Sequence, residues 1–400
     1  MSLEKAGRSA SLAMSRRGFL KSSLAVGAAL TAPSVLRGAA PAGGSGQVLR
    51  FGIIGTGARG SKAHIPALMA NPQIQLLAAC DIMEKHLQQG LTKIGKPVVA
   101  YSDYQKLLAN PDIDAVMIAT PNCVHKEVVL AALQAGKHVM CEKPMAVSFD
   151  ECKAVQSAIA ASSKTVLFCM QLRYSLEYEQ LRKAIESGMI GKPKHLLFAE
   201  FRGDWNRGDV WKYNDPKQGP VNWRFSHAAS GGTLSEKVCH YFDILHWMMG
   251  EHPASVACNG GIAAYKDGRD TWDHATTILT YPSGAVATHN LCMFGPKRLE
   301  LQIIGEEGSL TVSAASKTIL HQAKAKKEEL ALPEETRHGA GTGKGLETAV
   351  VRMYSDFLDC VANNKRPWMD VEKAMTSSKT AWLGELSSER KQEVKWEDIH

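Results

Sequence analysis

Gly55-Thr56-Gly57-Ala58-Arg59-Gly60 spaces three glycines as a turn that receives a pyrophosphate requires. In such a turn the first glycine makes the bend, and the second lets backbone approach the phosphates. The third lets the following helix pack against the strand, and the helix N-terminus offers N–H donors to the anion. The context is right on both sides. The apolar run Val48–Ile54 precedes the turn, and a helical pattern over Ser61–Ala70 follows it. A second strand, Ile74–Cys80, ends at Asp81, about 25 residues on, where a carboxylate receives the ribose hydroxyls of a dinucleotide. Ile82 comes next rather than a basic residue. A 2′-phosphate would meet Asp81 without a cation, so NAD is the expected cofactor and NADP is disfavoured.

Other chemistries lack their residues. No His-Glu-x-x-His, P-loop or Gly-x-Ser-x-Gly pattern occurs. Asp270-Thr271-Trp272-Asp273-His274 has metal-ligating types, but alternation along a strand splits them between faces. No metal is expected. The nine cysteines include no Cys-x-x-Cys pair. Most, such as Cys80, Cys141, Cys169, Cys258 and Cys292, stand in apolar stretches and read as buried thiols. Phe201–Phe225 reads as a long polar-aromatic loop containing Trp205, Arg207, Trp223 and Arg224. Sugar rings stack on aromatics and their hydroxyls need fixed polar partners, so these four are substrate candidates.

The elements that must position these residues fall into two regions, as 400 residues suit two domains. Through residue 170, short apolar strands alternate with helices, which predicts a doubly wound parallel sheet, an α/β Rossmann domain. From Gln171 one helix is followed by strands with turn signals at Tyr281-Pro282-Ser283-Gly284 and Glu306-Glu307-Gly308. This predicts an α+β domain with a large open antiparallel sheet. Lys324–Lys327, followed by Glu328-Glu329, reads as a solvated loop. The expected division is residues 1–42 as a signal peptide, 43–170 as the dinucleotide domain and 171–340 as the substrate and oligomerisation domain. Residues 341–400 are expected to be helices packing back on the first domain.

Thr120-Pro121-Asn122 with His125, then Cys141-Glu142-Lys143-Pro144, then Gly231-Gly232-Thr233-Leu234-Ser235-Glu236 with His240, Asp243 and Trp247 form an ordered set. The set resembles the glucose–fructose oxidoreductase / inositol dehydrogenase (Gfo/Idh/MocA) family. The resemblance implies Lys143 as the catalytic lysine beside the nicotinamide, with His240 and Glu236 as its catalytic partners. Glu236 stands where most members have Asp. Lys237 is expected to point away from both, with a surface role as open as a site role. The same resemblance places Thr120, Pro121, Asn122, His125, Glu142, Lys143 and Gln171 at the cofactor beside Gly55, Gly57, Ala58, Arg59, Gly60 and Asp81. It places Arg173, Tyr174 and His240 at the substrate, and it implies a homo-oligomer. The physical logic is independent: a hydroxyl that loses hydride must also lose a proton. A cation stabilises the developing alkoxide, and a neutral imidazole takes the proton.

The N-terminus sets the compartment. Ser15-Arg16-Arg17-Gly18-Phe19-Leu20-Lys21 precedes a mildly apolar run and the small residues Ala40-Pro41-Ala42. This reads as a twin-arginine export signal, with the translocation machinery as a partner and a periplasmic or otherwise exported product. The run is too short and too rich in Gly and Ala for a stable membrane span. Residues 1–42 carry most of the net charge of +7, which leaves no footprint for nucleic acid. The expected activity is therefore that of an exported NAD(P)-dependent oxidoreductase acting on a secondary hydroxyl of a sugar or polyol, its cofactor tightly held. A redox-neutral NAD-dependent glycoside hydrolase and a non-catalytic cofactor-binding sensor are the alternatives.

Overall fold

The computed structural model describes residues 48–203, 212–215, 219–314, 318–323, 326–332 and 344–399. The twin-arginine segment, Trp205 and Arg207 lie outside the described residues. Among these residues, six strands build the first sheet: β1 (Leu49–Ile54), β2 (Ile74–Cys80), β3 (Val99–Tyr101), β4 (Ala115–Ile118), β5 (His138–Cys141) and β6 (Val166–Phe168). All pair in parallel, in the order β3-β2-β1-β4-β5-β6. The helices α1 (Ile65–Ala70), α2 (Glu84–Ile94), α3 (Tyr104–Leu108), α4 (His125–Gln134) and α5 (Phe149–Ala160) follow its strands. Helix coverage of the sheet explains why every residue of β4 is buried. Asp103 and Ser148 start α3 and α5 by accepting from Gln105 N and Glu151 N. The strand order reverses between β1 and β4, and that crevice is where parallel sheets of this kind receive ligands.

After α6 (Leu176–Glu186) comes β7 (Pro193–Phe201). A small ribbon follows, β8 (Lys212–Asp215) with β9 (Gly219–Asn222), inside the segment expected to be loop. Next are α7 (His227–Ser230), a wide π-type turn over Leu234–Val238, and α8 (Cys239–Met249). The remaining strands are β10 (Ser255–Gly261), β11 (His274–Thr280), β12 (Val286–Cys292), β13 (Arg298–Gly305), β14 (Ser309–Ser313), β15 (Thr318–Ala323), β16 (Lys326–Ala331) and β17 (Val394–Lys395). Their sheet order is β16-β15-β14-β13-β7-β12-β11-β10-β17.

Two expectations change here. The sheet is mixed, because β7 pairs β13 antiparallel but β12 parallel. The long excursion after β7 returns the chain at β10, and the meander's third strand then runs in the direction of β7. The Lys-Glu cluster is a strand in its described part, residues 324–325 lying outside the described residues. Lys326–Glu329 belongs to β16 at the sheet edge, where His321 Nδ1 lies 2.7 Å from Glu328 Oε1. Charge on an edge strand discourages further pairing, so the polar sequence hides a strand.

The C-terminal helices α9 (Lys344–Asn363) and α10 (Val371–Arg390) join the two regions. Tyr354 and Phe357 of α9 meet Phe51 of β1 at centroid distances of 6.1 and 5.9 Å. Along α10, Ala374 lies in the first core, whereas Ala381 and Leu383 lie in the second. All nine cysteines are free thiols, and seven of them are buried.

Candidate active site

The turn after β1 is set by glycine at two of its three positions. Gly55 has φ +94°, and a Cβ there would meet Ala119 backbone at 2.6 Å. A Cβ on Gly60 would lie 2.1 Å from Gly55 O. Gly57 differs: a Cβ there would meet only His86, at an ordinary 3.5 Å. The protein therefore demands the first and third glycines but not the second.

Asp81 closes the turn. Its Oδ2 accepts from Thr56 N at 2.8 Å and its Oδ1 from Met83 N at 2.9 Å. Burial raises its pKa against the pull of these bonds. Arg59 and Glu142, both expected at the cofactor, pair with each other: Arg59 Nε donates to Glu142 Oε1 at 2.5 Å. His64 Nε2 reaches the same oxygen at 2.9 Å, while His64 Nδ1 faces Tyr354 OH at 3.1 Å. Burial opposes the ionised form of Glu142, but Arg59, His64 and Lys143 outweigh it and hold the carboxylate well below its usual range. His64, Glu142 and Cys169 bring ligand-type atoms within 4.8 Å of one another, but the Arg59 cation already holds that carboxylate.

His125 braces two loops. Its Nδ1 lies 2.8 Å from Pro144 O and its Nε2 3.1 Å from Thr120 O. Asn122 Nδ2 donates to Ser230 O at 2.8 Å and ties the first domain to the second. These two side chains thus fix the Thr120-Pro121-Asn122 and Lys143-Pro144 loops in place. Arg59 Nη2, Thr120 Oγ1 and Gln171 Oε1 are buried without hydrogen-bond partners among the described residues.

Lys143 follows β5 at the carboxyl edge of the sheet. Its Nζ donates to the backbone carbonyl of Glu236 and lies 3.5 Å from Glu236 Oε1. The π-type turn over Leu234–Val238 places Glu236 there, and such insertions are common at functional sites. Arg224 Nε reaches the same Glu236 Oε1 at 3.3 Å, and the guanidinium lies over the Trp223 ring, 4.1 Å from its centroid. His240, at the start of α8, is buried, and its Nδ1 lacks a partner among the described residues. Burial, then the Lys143 ammonium, push its pKa well below the usual histidine range, so the ring is neutral.

Arg173 and Tyr174, expected at the substrate, face other groups. Arg173 grips Asp243 through Nε at 3.0 Å and Nη2 at 2.5 Å, and stacks on Trp247. Tyr174 donates to Asp356 Oδ2 at 2.6 Å. Lys237 is not on the surface: its Nζ lies 3.8 Å from the buried Glu200. Burial opposes ionisation of Glu200, but Arg202 first, then His289 and Lys237, hold it at about 2. Asp273 accepts from the backbone of Ala263, Ala264 and Tyr265 and so closes the loop between β10 and β11.

Comparison with known proteins matches residues 49–169 to the model of an oxidoreductase family with an NAD-binding Rossmann fold, and residues 178–311 to the GFO/IDH/MocA C-terminal domain. Residues 13–33 match the twin-arginine translocation pathway signal sequence, which directs export. An uncharacterized oxidoreductase of Synechocystis sp. is 27% identical over 371 residues, 87% of this chain and 95% of that protein. Inositol 2-dehydrogenase of Salmonella typhimurium is 32% identical over 212 residues, 52% of this chain and 57% of that enzyme. Levoglucosan dehydrogenase of Pseudarthrobacter phenanthrenivorans is 29% identical over 299 residues, 66% of this chain and 73% of that enzyme. A solved levoglucosan dehydrogenase in complex with NADH superposes with a TM-score of 0.75 at 23% identity, covering 87% of this chain and 98% of that one. The likeness to that structure bears on the fold.

Proposed function

The chain belongs to the Gfo/Idh/MocA oxidoreductase family, and from that premise we propose an exported dehydrogenase of sugar or polyol secondary hydroxyls that retains its NAD. One observation carries the reading. Across the junction of the two domains, Lys143 and Arg224 converge on Glu236, and the buried neutral His240 has an unpaired Nδ1.

The residues suit a dinucleotide. Gly57 is glycine although no protein atom requires it, which fits a backbone approached by phosphate. Arg59 Nη2, Thr120 Oγ1 and Gln171 Oε1 are buried polar atoms with capacity to spare. Asp81, without a basic neighbour in sequence, favours a ribose 2′-hydroxyl and hence NAD. When bound, the nicotinamide supplies the hydride acceptor.

The side chains do the rest. Lys143 donates to the substrate oxygen and stabilises the alkoxide as it develops. His240 takes the hydroxyl proton, as a neutral ring with a free nitrogen does. Glu236 holds the ammonium and the guanidinium in register, and Trp223, Arg224 and His240 border the substrate. Tight retention follows from the export signal, because free NAD outside the cytoplasm is scarce. A cofactor loaded before export must then be reoxidised in place, by a second sugar. The glycosidase route, in which oxidation, elimination and hydride return occur at one site, meets the same demand.

The outer face of the second sheet supports a homo-oligomer. Leu197 and Ile278 are exposed large apolar residues that flank Thr288 across β7, β12 and β11. Mass measurement in solution, repeated on Leu197→Asp, tests this.

Protein recovered from the exported fraction should carry nicotinamide through gel filtration, and sugars should change its absorbance. Cofactor-free protein would overturn retention. Aryl glycosides cleaved without added NAD would move the reading to the hydrolase. Failure across a broad carbohydrate panel would leave a binding protein.

A further inference from the structure

We propose that the substrate is an acidic sugar, a polyhydroxy carboxylate such as a uronate or aldonate, and that Arg224 receives its carboxylate. The proposal rests on the dehydrogenase reading above.

Among the described residues, the site holds two cations and one carboxylate. Lys143 Nζ and Arg224 Nε lie 3.5 and 3.3 Å from the same oxygen, Glu236 Oε1. The nearby carboxylates are committed elsewhere: Glu142 to Arg59, Asp243 to Arg173, and Glu200 to Arg202 and Lys237. His240 is neutral and adds no charge of either sign. Among the described residues, one positive charge is therefore left over beside the reacting centre.

That surplus has a direction. Arg224 is held at its backbone by Asn222 Oδ1, at its plane by Trp223, and at Nε by Glu236. Among the described residues, neither Nη1 nor Nη2 has a hydrogen-bond acceptor. The side chain is only 17% exposed, so solvent compensates it poorly. Burial, incompletely offset by Glu236, disfavours its charged form.

A guanidinium fork presents parallel donors that match the two oxygens of a carboxylate. An acid would supply both missing acceptors and the missing charge together, whereas a neutral sugar offers only hydroxyl lone pairs. Because Lys143 and Arg224 share one oxygen of Glu236, they lie no further apart than the two contacts laid end to end. One sugar ring bridges that span, with its reacting hydroxyl at Lys143 and its carboxylate at Arg224.

The test is calorimetric titration of the nicotinamide-loaded protein with D-glucuronate and D-gluconate against D-glucose and sorbitol. We expect the acids to bind at least ~10-fold more tightly than their neutral counterparts, with a preference that shrinks as salt rises. Arg224→Gln should cost the acids at least ~10-fold more affinity than it costs the neutral sugars, and Arg224→Lys should fall between. Retained nicotinamide and an unchanged circular dichroism spectrum show that each variant is folded. Equal binding of acid and neutral sugar, no binding of either, or an equal loss for both in Arg224→Gln overturns the proposal. Hydride transfer is read separately from nicotinamide absorbance. Tight acid binding without transfer keeps the receiver and sinks the dehydrogenase reading; transfer from neutral sugars alone does the reverse.

Discussion

Arg59 Nε donates to Glu142 Oε1 at 2.5 Å, which ties the glycine turn after β1 to the residue that precedes Lys143. The parts proposed to hold phosphate and to handle the substrate oxygen are thus joined by one ion pair. His64 Nε2 reinforces it at the same oxygen.

Removing the charge from Glu142 should therefore disturb both parts. Glu142→Gln leaves Arg59 without its counter-ion in a site where Glu142 is almost fully buried. Loss of one partner of such a pair costs about 3–5 kcal/mol. Chemical denaturation should show that loss, and cofactor affinity should fall with it. A variant as stable as the parent would mean the pair is incidental.

Acid should destabilise the protein from near neutrality. Burial lowers the pKa of His64, His125, His240 and His246 below the ordinary 6.5, for His246 to about 3. The unfolded chain takes up these protons near pH 6.5 while the folded chain resists them. Stability is thus intact above that pH and falls as pH drops, by about 1.4 kcal/mol per unit for each histidine. The Glu142 carboxylate, held well below 4.5, adds stability above 4.5 that is lost as pH falls further. Melting temperatures should hold from about pH 8 to about pH 7 and then decline toward about pH 5; a flat profile throughout contradicts neutral burial.

Two glycines one turn apart should behave differently on gaining a methyl. Gly57→Ala has room, with its nearest contact at 3.5 Å, so it should fold normally and bind NAD at least ~10-fold more weakly. Gly60→Ala would drive Cβ to 2.1 Å from Gly55 O, so it should lose stability outright. Calorimetry for binding and thermal melts for stability separate the two. Equal defects in both variants would remove the argument that Gly57 serves a ligand.

Lys143→Ala should abolish turnover while leaving nicotinamide bound, because Lys143 lies beyond the glycine turn and meets the second domain through Glu236. His240→Gln should reduce the chemical step by about 10²–10⁴-fold, the usual worth of a positioned base. In the parent protein the rate should persist below pH 6.5, since His240 stays neutral there. Single-turnover measurements across pH check all three; an acid limb at 6.5 would assign the proton to another group.

Local pattern made much of this molecule readable. The glycine turn, the apolar strands around it and Asp81 lie within one stretch of chain, where periodicity and spacing act directly. What escaped depends on partners distant in sequence. Nothing local says that Arg59 turns to Glu142, 83 residues away, or that Arg173 spends its fork on Asp243, 70 residues away. Lys237 is ambiguous in sequence for the same reason, since Glu200 comes to it from β7. The strand at Lys326–Ala331 was hidden because edge strands carry charge where core strands carry branched apolar residues. The parallel pairing of β7 with β12 follows from where a long excursion ends, which no window of sequence records.

The contact between His64 and Tyr354 spans 290 residues. His64 leaves the ribosome well before the helix that carries Tyr354. An interrupted chain lacking that helix would present His64 and the Glu142 pocket bare. The later-made partner thus completes the surroundings of the earlier-made one. Under the proposed loading of cofactor before export, the berth beside Glu142 would be complete only once this clasp has closed.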